Sequence, residues 1–273
     1  MENKAEYKFA PLVLWCLAGI LLIVTWSMSS YWRPDVQDLG WWFSPLCSEY
    51  IGGFWQNIDN SVFFTLNGSL DQQKSTWNLI WAIANYRAFD LLAAVFMCII
   101  LGMYARENGD RDEFLRRVGI ILGCIVYIVI SSQLIKLFLR DIDRDSGTIM
   151  YKETALLLGE MYPVIDPKDH SSTSFPGDHA IILIGFTISI FRYAKFKYGI
   201  SALIVTVVFA LPRLVGGAHW FSDIAVGAVF IIMISMSILF HTPLYLILEK
   251  WTTAVMSKLP LVDWFAKIMV KSK

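Results

Sequence analysis

The stretch Pro212-Arg-Leu-Val-Gly-Gly-Ala-His-Trp-Phe-Ser-Asp223 puts an Arg, a His and an Asp within twelve residues, at the joint between two long apolar runs. Those runs, Gly199–Leu214 and Ile224–Leu248, read as membrane-crossing helices. Ionisable groups so close to a bilayer are costly, and they are expected to serve a function. Arg213 precedes His219 by six positions and Asp223 follows it by four. Four residues make one helical turn, so the carboxylate can share a face with the imidazole and hold it in one tautomer. Such a trio suits a ring nitrogen acting as nucleophile beside an Arg that holds an anion. The plainer alternative is an interfacial His and Asp that cap the next helix.

Working outward, the whole chain has the same character. Of 273 residues, 56% are apolar and 17% charged, and the formal net charge is zero. With a mean hydropathy of +0.53, this is the composition of an integral membrane protein. The balanced charge argues against a nucleic-acid partner. Cys16, Cys98 and Cys124 fall inside apolar runs and Cys47 stands alone, so neither a disulfide framework nor a Cys/His metal spacing is present.

Six spans are expected: Pro11–Met28, Phe89–Tyr104 (starting a few residues earlier, in Trp81–Ala84), Val118–Leu139, His179–Phe191, Gly199–Leu214 and Ile224–Leu248. The first reads as an uncleaved helix rather than a signal peptide. Residues 29–80 carry aromatic pairs such as Trp41-Trp42 and Phe63-Phe64, as interfacial segments do. Residues 140–178 form the longest polar loop. There is no internal repeat, so the expectation is one all-α domain over residues 1–273, a six-helix membrane bundle.

Lys and Arg set the orientation. Arg192, Lys195 and Lys197, the loop with Arg106, Arg111, Arg116 and Arg117, and the Lys-rich tail all fall on one side under this model. That side is cytoplasmic, with both termini. The loops 140–179 and 213–223 then share the opposite face, where they can form one site; in a bacterial inner membrane that face is periplasmic.

Two further groups fit such a site. Ser174-Phe-Pro-Gly-Asp-His179 directly precedes an apolar helix, so His179 falls in its first turn, where free N–H groups and the helix dipole suit an anion. A His there has the pKa range to protonate a leaving group; an ordinary capped helix is the alternative. Lys136, Arg140 and Arg144 would complete a cationic pocket, although Lys136 can simply snorkel and Arg140-Asp-Ile-Asp-Arg144 can be a salt-bridged loop. An ionised Asp178 would repel phosphate, so it either points away and pairs with an Arg or Lys, the reading favoured by the cations of the same loops, or positions His179. Arg87 and Asp90 read either as a helix-end ion pair or, through Arg87, as another phosphate contact.

Taken together these motifs resemble the type 2 phosphatidic acid phosphatase (PAP2) superfamily. Its pattern is a Lys with an Arg seven residues on, a Pro-Ser-Gly-His, and an Arg-x5-His-x3-Asp. Arg213, His219 and Asp223 meet the third part in full; Pro176 and His179 meet the second, with Gly177-Asp178 in the middle. Lys136 and Arg144 meet the first loosely, eight positions apart. The core of the likeness covers roughly residues 85–240. Asn85-Tyr-Arg-Ala-Phe-Asp90, Ser-Phe-Pro-Gly-Asp-His and the run Phe209–Asp223 look like the lipid A 1-diphosphate synthase branch, which moves phosphate from undecaprenyl diphosphate to lipid A.

The resemblance implies His219 as nucleophile forming a phosphohistidine, Asp223 as its orienting partner and His179 as general acid. It implies phosphate contacts from Arg213, Arg144 and Lys136, with Arg140, Arg87, Gly177 and Asp178 around them, and neither metal nor cofactor. Undecaprenyl diphosphate and lipid A are the implied lipid partners; the oligomeric state is open. A hydrolase releasing phosphate from a lipid phosphate is the nearest rival, and a membrane transporter a distant one, since no repeat appears.

Overall fold

The computed structural model describes residues 8–28, 53–107, 110–139, 142 and 144–271, and those residues form helices joined by loops. The longer helices are α1 (Phe9–Ser27), α2 (Phe54–Asn67), α3 (Thr76–Ala84), α4 (Phe89–Arg106) and α5 (Arg111–Leu139). Two single turns follow, α6 (Gly147–Met150) and α7 (Leu158–Met161). Then come α8 (Asp178–Tyr193), α9 (Phe196–Val215), α10 (Val229–His241) with a π-wound lead-in over Asp223–Ala228, α11 (Leu244–Lys258) and α12 (Pro260–Lys271).

Five of these are long and apolar enough to cross a membrane: α1, α4, α5, α9 and the run Asp223–His241. The other expected span is α8, at 16 residues. It packs against α5, α9 and α10 and buries residues on most of its circumference, among them Ile181, Leu183, Phe186 and Ile190. The arrangement is inside-out relative to a soluble protein. Leu91, Val95, Ile99, Leu134, Leu137, Phe138, Ile204 and Val207 are exposed, as hydrocarbon solvent permits.

Several boundaries differ from expectation. The run 224–248 is not one helix: it stops at His241, Thr242 is extended, and α11 begins after Pro243. Pro disfavours helical geometry in the residue before it and lacks the N–H to continue the ladder. Trp81–Ala84 does not extend α4 but ends the separate helix α3. α5 starts at Arg111 rather than Val118, because Glu113 ion-pairs with Arg116 and Arg117 one turn on, at 2.7 Å each.

The polar stretches are packed rather than solvated. Residues 29–52 lie outside the described part, but α2 and α3 occupy the rest of 29–80, and α2 buries Gln56, Asp59, Phe63 and Asn67 along one face. In the loop expected to be polar, Arg144, Ser146, Thr148, Asp169 and Ser174 are buried. Arg140 lies outside the described residues.

After α9 the chain turns sharply through Gly216 and Gly217. Gly217 has φ +76°, in the left-handed region, and a Cβ on Gly216 would lie 2.9 Å from Asn85 Nδ2. The turn folds the backbone back on itself, so that Ala218 and His219 N–H both donate to the Arg213 carbonyl, at 3.0 and 3.2 Å. This places His219 beside the helix end that carries Arg213.

Candidate active site

His219 is 7% exposed. Its Nδ1 lies 2.8 Å from the Ser174 carbonyl oxygen. A carbonyl only accepts, so Nδ1 carries the proton and the Nε2 lone pair is left for chemistry. Asp223 Oδ2 is 3.5 Å from the same nitrogen, too long for a good hydrogen bond. The ring is therefore oriented by the Ser174 carbonyl, with Asp223 backing it from the same side.

Asp223 is fully buried and well supplied with donors. Its Oδ2 accepts from Trp220 N–H at 2.8 Å and its Oδ1 from Arg144 Nη1 at 2.7 Å. Arg144 itself is 1% exposed. Nη2 donates to Asp59 Oδ2 at 2.6 Å, Nη1 also to Ser222 Oγ at 2.9 Å, and the guanidinium lies over the rings of Trp26 and Trp220, 5.4 and 5.1 Å from their centroids. This corrects the expectation of a phosphate contact at Arg144. Both its terminal nitrogens are engaged by buried carboxylates.

On the other side of the site, His179 is 39% exposed in the first turn of α8, with Nε2 2.8 Å from Asp90 Oδ2. Asp90 also accepts from Arg213 Nη2, at 3.1 and 2.9 Å, while Arg213 Nη1 donates to the Asn85 carbonyl at 2.9 Å. The expected Arg87–Asp90 pair is thus replaced: Asp90 joins His179 to Arg213, and Arg87 is exposed. Asp178 pairs with Lys136 at 2.7 Å, as its charge required. Gly177 donates its N–H to the Asp223 carbonyl at 3.1 Å.

Gly177, His179, Arg213 and His219 line one cleft of about 10 Å³, so the loops 140–179 and 213–223 do meet. Arg213 and His179 in it are already held by Asp90, so a phosphate that binds them must displace that carboxylate. Lys168 stands nearby, its amine held below the usual lysine range by burial first and then by Arg213 and Arg87. A larger groove of about 590 Å³ lies among α1, α8 and α10, but it is apolar and touches none of the residues above.

A family model described as PAP2 superfamily matches residues 153–246. The lipid A 1-diphosphate synthase of Escherichia coli (strain K12) is 35% identical over 195 residues, 70% of this chain and 79% of that protein. The chain belongs to the PAP2 superfamily. No solved structure matches it. It is therefore an enzyme of the lipid phosphatase and phosphotransferase type, and its apolar helices make it a multi-pass membrane protein.

Within this PAP2 enzyme, His179, Arg213, His219 and Asp223 fall inside the matched region, whereas Asp59, Asp90, Lys136 and Arg144 lie outside it. Sequence reasoning missed Asp59, Ser222, Trp26 and Asn85. A signal for Asp59 did exist. Gln56, Asp59, Phe63 and Asn67 recur at helical spacing, which marks a helix whose inward face is largely polar.

Proposed function

We propose that the enzyme transfers a phosphate from undecaprenyl diphosphate to the 1-phosphate of lipid A, at the periplasmic face of a bacterial inner membrane, with both termini cytoplasmic. The observation that carries the reading is the His219 ring, fixed through Nδ1 with Nε2 free, in one cleft with Arg213 and His179. The name of the Escherichia coli relative supports the substrate pair.

In the first half-reaction, His219 Nε2 attacks the terminal phosphorus of the donor. The bond to the bridging oxygen breaks, and undecaprenyl phosphate leaves with a proton from His179, which Asp90 holds in place. Arg213 and Lys136 release their carboxylates to take the phosphate oxygens and offset the charge that builds there. In the second half, an oxygen of the lipid A 1-phosphate attacks the phosphohistidine and regenerates neutral His219. Gly177 lets the backbone of the α8 start lie against the site.

Purified protein incubated with labelled undecaprenyl diphosphate, with and without lipid A, tests this. Label should move to lipid A, and His219→Ala should abolish nearly all of that transfer. Fast release of inorganic phosphate without an acceptor would instead make the enzyme a hydrolase.

A further inference from the structure

Asp59 lies on α2, outside the matched region and outside the three motifs that carry the chemistry, yet it is fully buried against them. Its Oδ1 accepts from Ser222 N–H at 2.8 Å. Its Oδ2 accepts from Ser222 Oγ–H and Arg144 Nη2, both at 2.6 Å. The Ser222 hydroxyl can point only one way here, because it also accepts from Trp26 Nε1 and Arg144 Nη1, at 2.9 Å each. Every partner of Asp59 therefore donates, and the carboxylate is ionised in place.

That charge is expensive. Burial, the largest influence, pushes the Asp59 carboxyl above the usual Asp range, against the pull of Arg144 and Ser222. An Asn would fill the same space but turn an N–H donor towards Ser222 or Arg144, so the contacts call for an acceptor at both oxygens. A packing role alone does not call for an ionised carboxylate there.

We propose that Asp59 is a positioning residue for the nucleophile: by sharing Arg144 with Asp223, it leaves one net negative charge behind His219. Asp59 and Asp223 contribute −2 and Arg144 +1, so the buried group sums to −1. On attack, the imidazole of His219 gains positive charge as Nε2 bonds to phosphorus. A lone Arg144–Asp223 pair would face that ring with no net charge; the triad faces it with one counter-charge. Of the other charged groups around the cleft, Arg213 and His179 share Asp90, Lys136 pairs with Asp178, and Lys168 stands near Arg213; the variants below leave all of them in place. The inference rests on the proposed phosphohistidine at His219.

The test uses the full-length enzyme, a labelled isoprenyl diphosphate donor, and Asp59→Asn. Its kcat should fall on the order of 10-fold, the change that losing about 1.4 kcal/mol of stabilisation of the charged ring produces. The donor KM should hold within about twofold. The acid limb of the pH–rate profile should move to lower pH, because the ring nitrogen binds a proton less tightly once the counter-charge is gone. The double variant Asp59→Asn with Arg144→Gln returns the sum to −1 through Asp223 alone, and its acid limb should return to the wild-type position. Ser222→Ala keeps all three charges and should leave the limb unmoved.

If Asp59→Asn does not fold, the double variant against Arg144→Gln carries the comparison, with Arg144→Gln at higher pH. An acid limb that ignores these charges, or that Ser222→Ala shifts as far as Asp59→Asn, would overturn the proposal. Absence of phosphohistidine in the wild type would sink the reading beneath it as well. Normal phosphohistidine in both wild type and Asp59→Asn would sink this inference alone.

Discussion

Replacing Arg144 by Gln separates two roles that the sequence could not tell apart. As a phosphate ligand, Arg144 would lower the donor KM and matter little to folding. The structure instead buries it between Asp59 and Asp223, at 2.6 and 2.7 Å, under two tryptophan rings. Removing one partner of a buried ion pair costs about 3–5 kcal/mol, because the remaining charge has neither water nor a counter-ion. Here two carboxylates are stranded at once, so the upper part of that range applies. At roughly 2–4 °C per kcal/mol for chains of this order of size, a cost of about 4–5 kcal/mol should drop the melting temperature by roughly 8–20 °C. Trp26 and Trp220 flank the guanidinium, so tryptophan fluorescence during a thermal ramp in detergent is a direct assay. Asp59→Asn should cost far less, since it removes a charge that burial already penalises. An Arg144→Gln enzyme that melts like wild type and shows only a raised donor KM would refute the counter-ion assignment.

Three other outcomes follow from the geometry. Asp90→Asn removes the carboxylate that holds His179 and should cut the rate of phosphoenzyme formation by about 10²-fold, the lower end for loss of acid catalysis; rapid-quench trapping of labelled enzyme reads it, and an unchanged rate excludes Asp90. Asp178→Asn frees Lys136 from its 2.7 Å partner and should lower the donor KM several-fold in steady-state assays, whereas a higher KM would mean that Asp178 positions the site instead. The Lys168 amine titrates below its ordinary value in the folded protein, so the folded state binds that proton less tightly than the unfolded chain. This penalty is present at neutral pH and is relieved as pH rises from the lowered value towards 10.5. Lys168→Met should therefore raise the melting temperature near neutral pH and flatten its rise in alkali; a parallel curve would show that the amine is not penalised.

Much of the site was readable because its residues are close in sequence or have strict spacing. Arg213, His219 and Asp223 lie along one turn and helix start, and His179 opens a helix, so local spacing was enough to group them at one site. The pairing of Asp178 followed from charge alone. Asp59 and Asp223 are separated by most of the chain, and no local pattern links them; only the folded α2 face does. Arg144 was misread because spacing says nothing about burial, and a loop arginine beside two aspartates looks solvated until both its nitrogens are seen to be taken. The break at Pro243 was legible from proline chemistry but hidden by an unbroken apolar run. Asp90 changed partner for a similar reason: Arg87 is nearer in sequence, while Arg213 arrives from α9.

The hydroxyl of Ser222 gathers contacts from α1 through Trp26, from α2 through Asp59 and from the long loop through Arg144. The support behind His219 is thus drawn from segments that lie far apart in the sequence. A chain that stops short of Ser222 cannot hold this cluster. The support behind His219 therefore closes only after α9 has been made, when Ser222 can draw α1 and α2 against the start of the following helix.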